Sequence, residues 1–490
     1  MALSMTAVKS NAIPLRSKRI FCHTTLLYRH VHTTPSNHSS IQIPPNGTVS
    51  PSDITMPPLL SQAAAAAKAT TKSKALPPLS ILPTSQILRS YLITRATSTP
   101  SLLRASFAIL SRMCDPKARF LSPDRNPLLK FAFKHTFYAQ FCAGENKAEV
   151  QRTATRVNNA GYRGVILEYA LELLKGEHAT ATPAEELRVW RKGMLETVDL
   201  ANEGDFVALK WSGMGREALA LLDAGEPPST EMRTAIEEVC DRAVERGAAL
   251  LPGAELEVTN VGIDRWTIDL QRKYNKTRPV MYTTYQCYLK STPGNVARDL
   301  DIARKEGFVA GVKLVRGAYL WSEPRDRVTK TLEETHGVYD GVMEAVLKRM
   351  WNDVLKPADQ KNNEFPPVAV VLASHNLDSV KKARAIRDEQ AEKGEPLIEC
   401  AFAQLQGMAD EISCSLVAAS QAKMAEGKST SGGVEVLKPV KCATWGTVSE
   451  CLGFLYRRAL ENQDACARTA VTRKAMASEL VRRSKAVVGM

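Results

Sequence analysis

Short apolar runs alternate with longer amphipathic stretches along the chain from about residue 161 onward. Eight of these runs are candidate strands: 164–169, 206–211, 248–253, 280–286, 311–317, 368–374, 399–405 and 434–440. Strands that alternate with helical segments of this length indicate βαβ units and a parallel sheet. Eight units over about 300 residues predict an α/β fold of the (β/α)8 TIM-like barrel type. A doubly wound open sheet is the competing layout, but it favours an early G-x-G-x-x-G turn, and the sequence has none.

Polar side chains recur where the predicted strands end. Lys210 ends the second run, Gln286 the fourth and Arg316 the fifth, while His375 follows the sixth and Gln404 lies near the end of the seventh. In a (β/α)8 barrel the active site lies at the C-terminal ends of the strands. Each residue alone is typical of a structural role, but their shared placement predicts a site at this end of the barrel.

A helix follows the eighth run. The T-x-x-E pattern at 447–450 is typical of a capping box, so the helix is predicted to begin near Val448. Its predicted barrel-facing side consists of Val448, Leu452, Leu455 and Ala459. The other side holds Phe454, Arg457, Arg458 and Glu461. Two interpretations stay open: a solvated face with i,i+4 ion pairs, or an arginine fork that binds a carboxylate.

Composition fits a soluble globular protein, since 44% of the 490 residues are hydrophobic and 24% are charged. No apolar run approaches the roughly 18–20 residues that a membrane span needs. The ten cysteines include no C-x-x-C pair, which favours a reducing compartment and argues against a metal site.

The net charge of +13 is concentrated at the N-terminal end. Residues 1–114 hold twelve Lys and Arg and one acid, Asp53, which gives 12 − 1 = +11 and leaves 13 − 11 = +2 for residues 115–490. Nucleic-acid binding, which a basic excess can indicate, is therefore not expected. Because residues 1–35 are rich in Arg, Ser and Thr and poor in acids, they are predicted to be a mitochondrial transit peptide within a disordered targeting region; a plain disordered basic tail is the alternative.

The remaining chain divides into three predicted parts. Residues 36–125 form a linker or N-terminal arm, 126–470 form the barrel, and 471–490 form a basic C-terminal tail. Two interpretations of the tail stay open, contact with anionic lipid or a solvated helix end.

Several blocks of the sequence resemble the proline dehydrogenase family, and in particular its mitochondrial, fungal-type members. They are FYAQFCAGE (137–145), VALK (207–210), TYQCYLK (284–290), KLVRGAY (313–319), ASHN (373–376), LQGM (405–408) and the stretch from 441 to 462. The blocks occur in the family order and cover roughly residues 130–470.

The resemblance implies a distorted (β/α)8 barrel that holds FAD. It implies oxidation of L-proline to 1-pyrroline-5-carboxylate, the first step of proline catabolism to glutamate, with a hydride passing from proline C5 to flavin N5. Electrons would go on to ubiquinone. The expected location is the mitochondrial matrix, with peripheral contact to the inner membrane.

The resemblance also implies roles for individual residues. Arg457, Arg458 and Lys210 correspond to the catalytic residues that bind the proline carboxylate, and Tyr319 and Leu405 to residues that line the proline pocket. The positions that match cofactor contacts are Gln286, Lys313, Val315, Gly317, Ala318, Ser374, His375, Asn376 and Glu461. No metal ligand is implied.

Three positions depart from the family pattern. Gly253 replaces the aspartate of a usual Asp-Ala-Glu, and Cys442 and Phe454 stand where tyrosines are common. The changes concern the polar edge of the pocket. They leave open a flavin-dependent hydroxyproline dehydrogenase, or a family member with weakened activity or altered specificity.

Overall fold

The computed structural model describes residues 76–115, 119–123, 125–171, 181–359, 361–425, 437–461 and 469–489. The predicted transit peptide and most of the predicted linker lie outside these residues, so both remain predictions.

Eight parallel strands form the barrel, which confirms the fold predicted from the sequence. They are β1 (Val165–Tyr169), β2 (Phe206–Leu209), β3 (Ala249–Pro252), β4 (Thr283–Gln286), β5 (Ala310–Val315), β6 (Val368–Ala373), β7 (Cys400–Leu405) and β8 (Lys438–Trp445). Their order is β3-β2-β1-β8-β7-β6-β5-β4. Instead of a full ladder, a parallel bridge between Leu250 and Met281 joins β3 to β4 and completes the ring.

The position of the last strand differs from the sequence prediction. The apolar run 434–440 was expected to be the eighth strand, but β8 begins at Lys438 and continues to Trp445. Residues 434–436 lie outside the described chain. Lys441, the residue directly after the predicted run, is buried within the strand, where the carboxylate of Asp410 neutralises it.

Helices surround the barrel and extend beyond it at both ends of the described chain. They are α1 (Thr84–Thr97), α2 (Pro100–Met113), α3 (Pro127–Phe133), α4 (Lys147–Asn159), α5 (Pro183–Leu200), α6 (Arg216–Ala224), α7 (Thr230–Arg246), α8 (Glu257–Tyr274), α9 (Thr292–Glu306), α10 (Leu332–Lys348), α11 (Leu377–Glu392), α12 (Asp410–Ala425), α13 (Val448–Glu461) and α14 (Ala470–Val487). A π-helical turn, Lys134–Tyr138, continues α3. No helix within the described ranges is both long and apolar enough to cross a bilayer.

Alternate residues of each strand point to opposite sides of the barrel wall. The inward set packs into one cluster that includes Ile166, Phe206, Leu251, Tyr282 and Val371. The outward set packs on the helices, so the strands are apolar on both sides. Toward the C-terminal ends of the strands, the inward-pointing side chains become polar. The candidate site therefore lies at this end of the barrel.

The N-terminal arm contains more structure than the sequence interpretation assigned to it. Two helices, α1 and α2, lie within the range 36–125, which was predicted as a linker or arm. The first packs beside α14, which occupies the predicted basic tail; Ile87 and Met476, both fully buried, belong to one core cluster. Arg483 ties the two ends together, because its guanidinium donates to the carbonyl of Leu82 (2.8 Å) and to the hydroxyl of Thr84 (2.7 Å).

The helices α2 and α3 pack against α13, the helix that carries the arginine pair. Met113, Phe133, Leu452 and Phe454 share a buried cluster. The rings of Phe107 and Tyr456 also meet edge to face at 6.5 Å. The arm therefore supports the helix that covers one side of the barrel mouth.

Candidate active site at the barrel mouth

The strand ends bring together most of the residues expected from the sequence. Lys210, Gln286, His375 and Leu405 occupy inward positions, because each lies two or four residues beyond an inward residue of the barrel core. Lys313 is also inward, because its neighbours Val312 and Leu314 pack outward on the helices. They come from five different strand ends, as the (β/α)8 architecture requires of an active site.

Lys210 contacts a residue from across the barrel. Its Nζ donates a hydrogen bond to the Tyr319 hydroxyl at 3.2 Å, which joins the ends of β2 and β5. The same lysine lines a small pocket together with Glu168, Trp190 and Phe454. This pocket lies between the ends of β1 and β2 and the helices α5 and α13. The mouth therefore holds a half-buried ammonium group beside a phenol hydroxyl.

Lys313 is half-buried at the middle of the mouth. Burial lowers the pKa of its ammonium, while Cys442 and Glu168 act in the opposite direction. Burial, followed by the charge of Glu168, raises the pKa of the Cys442 thiol to about 12, so that thiol stays protonated. Within the described chain, Lys313 makes no hydrogen bond or ion pair, which leaves its ammonium available to a ligand.

His375 joins two neighbouring strand ends. Its Nε2 accepts a hydrogen bond from the backbone N–H of Leu405 at 3.1 Å, which places the ring proton on Nδ1. The protein around His375 removes part of the hydration of its charged form, and this desolvation, followed by the positive charge of Lys441, lowers the pKa of His375 to about 4. Part of the side chain is still exposed to solvent. The imidazole is therefore neutral at physiological pH.

Ser374 and Asn376 lie behind the mouth, among hydrogen bonds within the protein. Arg316 donates to Ser374 Oγ at 2.7 Å, to Ser379 Oγ at 2.8 Å and to His336 Nδ1 at 3.0 Å. Asn376 caps α11 by accepting from the backbone N–H of Ser379 at 2.9 Å. These contacts fix β5 and β6 against their helices, and Arg316 is the centre of the network.

Gly317 is required here for a reason that the sequence did not suggest. Its φ is +122°, and an added Cβ would lie 1.4 Å from Cε1 of Tyr288. The space of the missing side chain is thus filled by a tyrosine ring of the protein itself. Its neighbours in the same motif follow the strand: Val315 pairs with Gln286 in the β4–β5 ladder, and the half-buried Ala318 comes next along the chain.

The helix α13 begins as predicted. Glu450 Oε2 accepts from the backbone N–H of Thr447 at 2.8 Å, and the Thr447 hydroxyl accepts from the N–H of Glu450 at 3.3 Å, which together make the capping box. The predicted assignment of faces needs one correction. Phe454 was placed on the face away from the barrel, but it is 7% exposed and lines the pocket beside Lys210.

The two arginines of α13 point to different neighbours. The Arg458 guanidinium lies 5.4 Å from the centre of the Phe454 ring, which directs it toward the pocket. Arg457 lies back over Gly453, with Nη1 3.3 Å from where a Cβ would stand. It also acts on Cys114 of the arm, whose pKa burial raises to about 11 while Arg457 opposes the rise. Glu461 ends the helix, and its side chain lies outside the described part of the chain.

Two features of the site were missed in the sequence analysis. Glu168 brings a carboxylate into the mouth, where its Oε2 accepts from the Thr444 hydroxyl at 3.4 Å. A charged residue at an inward position of an otherwise apolar strand was the available signal. The second feature is a buried ion pair of Lys441 with Asp410, at 2.8 Å, directly behind Leu405. No local pattern connects residues that are 31 positions apart.

The substituted edge of the site could hold a side chain at position 253 without a clash. At Gly253 a Cβ would stand 3.5 Å from Cγ of Lys210, an ordinary contact distance. The adjoining Glu255 is held in place, because its carbonyl accepts from Gln286 Nε2 at 2.6 Å and its carboxylate accepts from the Ser212 hydroxyl. The departure from the family pattern therefore removes a side chain without disturbing the loop.

Fold and site together define a (β/α)8 barrel with a cationic mouth suited to an anionic small molecule. A sequence model of the family described as proline dehydrogenase matches residues 150–470, and the chain belongs to this family. It is 34% identical over 263 residues to human "Proline dehydrogenase 1, mitochondrial", which covers 52% of the chain and 39% of that relative. The chain thus aligns with less than half of the human protein.

Two further comparisons extend over more of the chain. A Xenopus laevis "Hydroxyproline dehydrogenase" is 26% identical over 449 residues, covering 81% of the chain and 87% of that relative. The crystal structure of proline utilization A from Bdellovibrio bacteriovorus, inactivated by N-propargylglycine, superposes with a TM-score of 0.56 at 16% identity, covering 76% of this chain and 38% of that one. At this identity the structural likeness concerns the fold.

Proposed function

We propose that this chain is an FAD-dependent dehydrogenase that oxidises L-proline to 1-pyrroline-5-carboxylate. The observation that carries the proposal is the set of cationic groups at the barrel mouth. Lys210 is held by Tyr319, Arg458 lies over the pocket wall, and Lys313 is half-buried at the centre. Membership of the proline dehydrogenase family supports the choice of substrate.

The residues of the mouth fit a flavin. Lys313 has no partner within the described chain, although burial makes its charge costly, so a polar ligand above it would satisfy its donors. The neutral His375 keeps Nδ1–H as a donor, and Gln286 lies at the adjoining strand end. When bound, FAD supplies the two-electron acceptor for the substrate's C–N oxidation. We assign Lys313, His375 and Gln286 to its binding, with Val315, Gly317 and Ala318 as the backbone beside it.

The chain's own residues bind and orient the substrate. Proline carries one fixed negative charge, and the planar fork of an arginine binds a carboxylate through two hydrogen bonds. Lys210 lines the pocket, and Arg458 lies over Phe454 in its wall. Arg457 must rotate away from Gly453 to complete the fork. Tyr319 and the exposed Leu405 would then line the ring of the substrate, and catalysis would depend on orientation and electrostatics.

Ser374, Asn376 and Glu461 are proposed to act on the cofactor side. In this structure Arg316 and the first turn of α11 hold Ser374 and Asn376, so their contribution to binding would be to fix the β5 and β6 ends. A mitochondrial location is supported by the human relative, which is named mitochondrial, and the matrix side is our proposal. Ubiquinone at the inner membrane is the proposed electron acceptor.

A hydroxyproline dehydrogenase is the second candidate, because the pocket edge lacks the side chains that relatives use. Gly253 leaves space beside Lys210, and the Cys442 thiol is smaller than the usual tyrosine. The similarity to a hydroxyproline dehydrogenase over 81% of the chain agrees with this option. Comparing kcat/KM for L-proline and trans-4-hydroxy-L-proline, in wild type and in Cys442→Tyr, separates the two. A preference for hydroxyproline that the tyrosine abolishes would favour the second candidate.

The arginine pair provides the direct test. Removing one partner of a partly desolvated, charge-assisted contact costs roughly 2–5 kcal/mol. Arg457→Met and Arg458→Met should therefore each lower kcat/KM for L-proline by about 30-fold to several-thousand-fold, at about 1.4 kcal/mol per factor of ten. Flavin content and thermal stability should stay unchanged. Lysine at either position should restore only part of the activity, because it lacks the fork.

Two controls accompany this test. Arg242→Met removes an exposed arginine that pairs with Asp199 on the helical surface, and it should leave kcat/KM unchanged. Pyrrolidine, which has no carboxylate, should lose much less turnover than proline in the α13 variants. Normal proline turnover in both Arg457→Met and Arg458→Met would make the pair a surface feature and contradict the proposed clamp.

A further inference from the structure

The segment that links α2 to the barrel exposes a group of large apolar side chains. Phe120 is 89% exposed, Leu128 81%, Phe131 64% and Leu121 39%. Leu128 and Phe131 are three positions apart on one face of α3, so they are neighbours on its surface. The Asn126 side chain donates to the Phe120 carbonyl at 3.0 Å and also caps α3, which fixes the Phe120 turn beside this helix. We call these four residues the 120–131 surface.

This exposed face is additional to the core contact of the same helix. The opposite face of α3 places Leu129 and Phe133 against Met113 and the underside of α13. The helix thus buries one apolar side and presents a second to solvent. Contiguous exposed apolar patches of this kind mark sites of interaction with a partner or a membrane.

Most of the charged residues near the 120–131 surface are basic, although Asp115 and Asp124 belong to the same segment. The neighbouring helices α1 and α2 together carry four arginines and no acidic residue. Of these, Arg95, Arg104 and Arg112 are exposed, and so is Arg125 within the segment itself. The acids that follow the segment are neutralised: Glu145 and Glu149 both accept from Lys134, at 2.5 and 2.8 Å. Apolar side chains bordered by arginines complement a layer of anionic headgroups over acyl chains.

We propose that the 120–131 surface docks the protein on the anionic face of a lipid bilayer, with the phenylalanine and leucine side chains in the headgroup–acyl boundary and the arginines on lipid phosphates. The proposal rests on the proposed function in so far as a membrane quinone is the electron acceptor. It places the contact in the N-terminal arm. The C-terminal tail, considered in the sequence analysis, instead packs on α1.

The location suits a membrane-linked reaction. The helices α2 and α3 pack directly on α13, whose arginines stand at the barrel mouth. A bilayer on the 120–131 surface would therefore contact a helix that packs on α13, the helix proposed to bind substrate.

Vesicle flotation of the full-length, purified protein tests the proposal. The probes are vesicles of phosphatidylcholine alone and of phosphatidylcholine with cardiolipin. We expect the wild type to float with the anionic vesicles and the combined Phe120→Ser, Leu128→Ser and Phe131→Ser variant to show a bound-to-free ratio at least about tenfold lower. The matched control replaces three exposed apolar residues elsewhere, by Val258→Ser, Val261→Ser and Leu332→Ser, and should float like the wild type.

A second variant tests the same surface without touching its apolar residues. Arg104→Gln, Arg112→Gln and Arg125→Gln together should remove the preference for anionic vesicles, and added salt should weaken wild-type binding in the same direction. Equal flotation of the serine variant and the wild type would overturn the proposal. So would a dimer that the serine substitutions convert to monomer in light scattering while vesicle binding stays the same, because the patch would then join two copies of the chain.

Failure of docking and failure of the proposed function remain distinguishable. Proline oxidation with a water-soluble dye as electron acceptor needs no membrane, so the serine variant should retain wild-type turnover in that assay. A wild type that floats but cannot oxidise proline contradicts the enzyme assignment. A wild type that oxidises proline but does not float contradicts the docking surface.

Discussion

The ion pair of Lys441 and Asp410 is among the most buried charged contacts of the described chain. Their side chains are 2% and 1% exposed, and the ammonium lies 2.8 Å from the carboxylate. Lys441 also donates to the carbonyls of Met408 (2.9 Å) and Leu405 (3.3 Å), so all three of its protons have acceptors. The second carboxylate oxygen of Asp410 accepts from Gln86 of α1 at 3.3 Å.

Removing one partner should be much more damaging than removing both. Lys441→Met leaves a buried carboxylate without its cation, and breaking a buried pair in this way costs about 3–5 kcal/mol. The same range applies to Asp410→Leu, which leaves the ammonium. Replacing both by apolar residues of similar size should recover much of this loss, because no buried charge then remains. We therefore expect a coupling energy of at least about 2 kcal/mol between the two positions.

Urea unfolding of the wild type, both single variants and the double variant measures this cycle. Since Lys441 also holds the Leu405 carbonyl, the single variants should raise KM for proline in addition to lowering stability. Lys382→Met provides the matched control: it breaks an exposed pair with Asp340 and should cost less than about 1 kcal/mol. Additive single effects, or a loss below about 1 kcal/mol in Lys441→Met, would refute the argument.

Three further substitutions test the mouth. Gly253→Asp adds a carboxylate beside Lys210 that would compete with the substrate carboxylate for the same ammonium, and we expect KM for proline to rise about 10- to 150-fold, as the loss of one charged hydrogen bond of about 1.5–3 kcal/mol predicts. Gly317→Ala should destabilise the fold by about 3 kcal/mol or more in thermal unfolding, because its Cβ overlaps the Tyr288 ring and φ is +122°. His375, with a pKa of about 4 against an ordinary 6.5, binds its proton more readily in the unfolded chain, so folding stability should fall as pH drops from 6.5 toward 4, and His375→Gln should flatten that slope.

Each of these tests has its own contrary result. Gly253→Ala supplies the Cβ without the carboxylate, and an equal effect on KM would show that charge is irrelevant there. For Gly317→Ala, the double variant with Tyr288→Ala should regain part of the loss; no recovery would mean that backbone strain alone is responsible. A titration of the His375 ring signal above pH 6 in NMR spectra would contradict its assigned environment.

Periodicity and turn residues were enough to predict the barrel. Most strands are short apolar runs bounded by polar turns, and most of the helices between them have an apolar stripe. The start of α13 was also predictable, since the capping box is a local pattern within four residues. The eighth strand was placed too early because a buried Lys441 resembles a surface residue in sequence. Its burial depends on the distant Asp410, whose carboxylate neutralises the charge of the lysine inside the protein.

The candidate site was predictable as a set of positions but not as a set of contacts. Strand-end positions follow from the fold, and the family blocks name the residues. Whether Ser374 turns toward the mouth or toward Arg316 depends on three elements that meet only in the folded chain. The reason for Gly317 was likewise hidden, because Tyr288 reaches it from a different strand end.

Because α1 packs on α14, the N-terminal helix cannot reach its final packing until the C-terminal end of the chain has been made. Arg483 bonds to Thr84 across 399 positions of the chain. At about 5–20 residues per second of synthesis, α1 waits on the order of 20–80 s before its partner helix is made. During that interval Ile87 has no Met476 to cover it, and Gln86 has no Asp410 to bond until α12 follows. Until α14 folds onto α1, the apolar side chain of Ile87 therefore stays exposed, and exposed apolar surface of this kind favours aggregation.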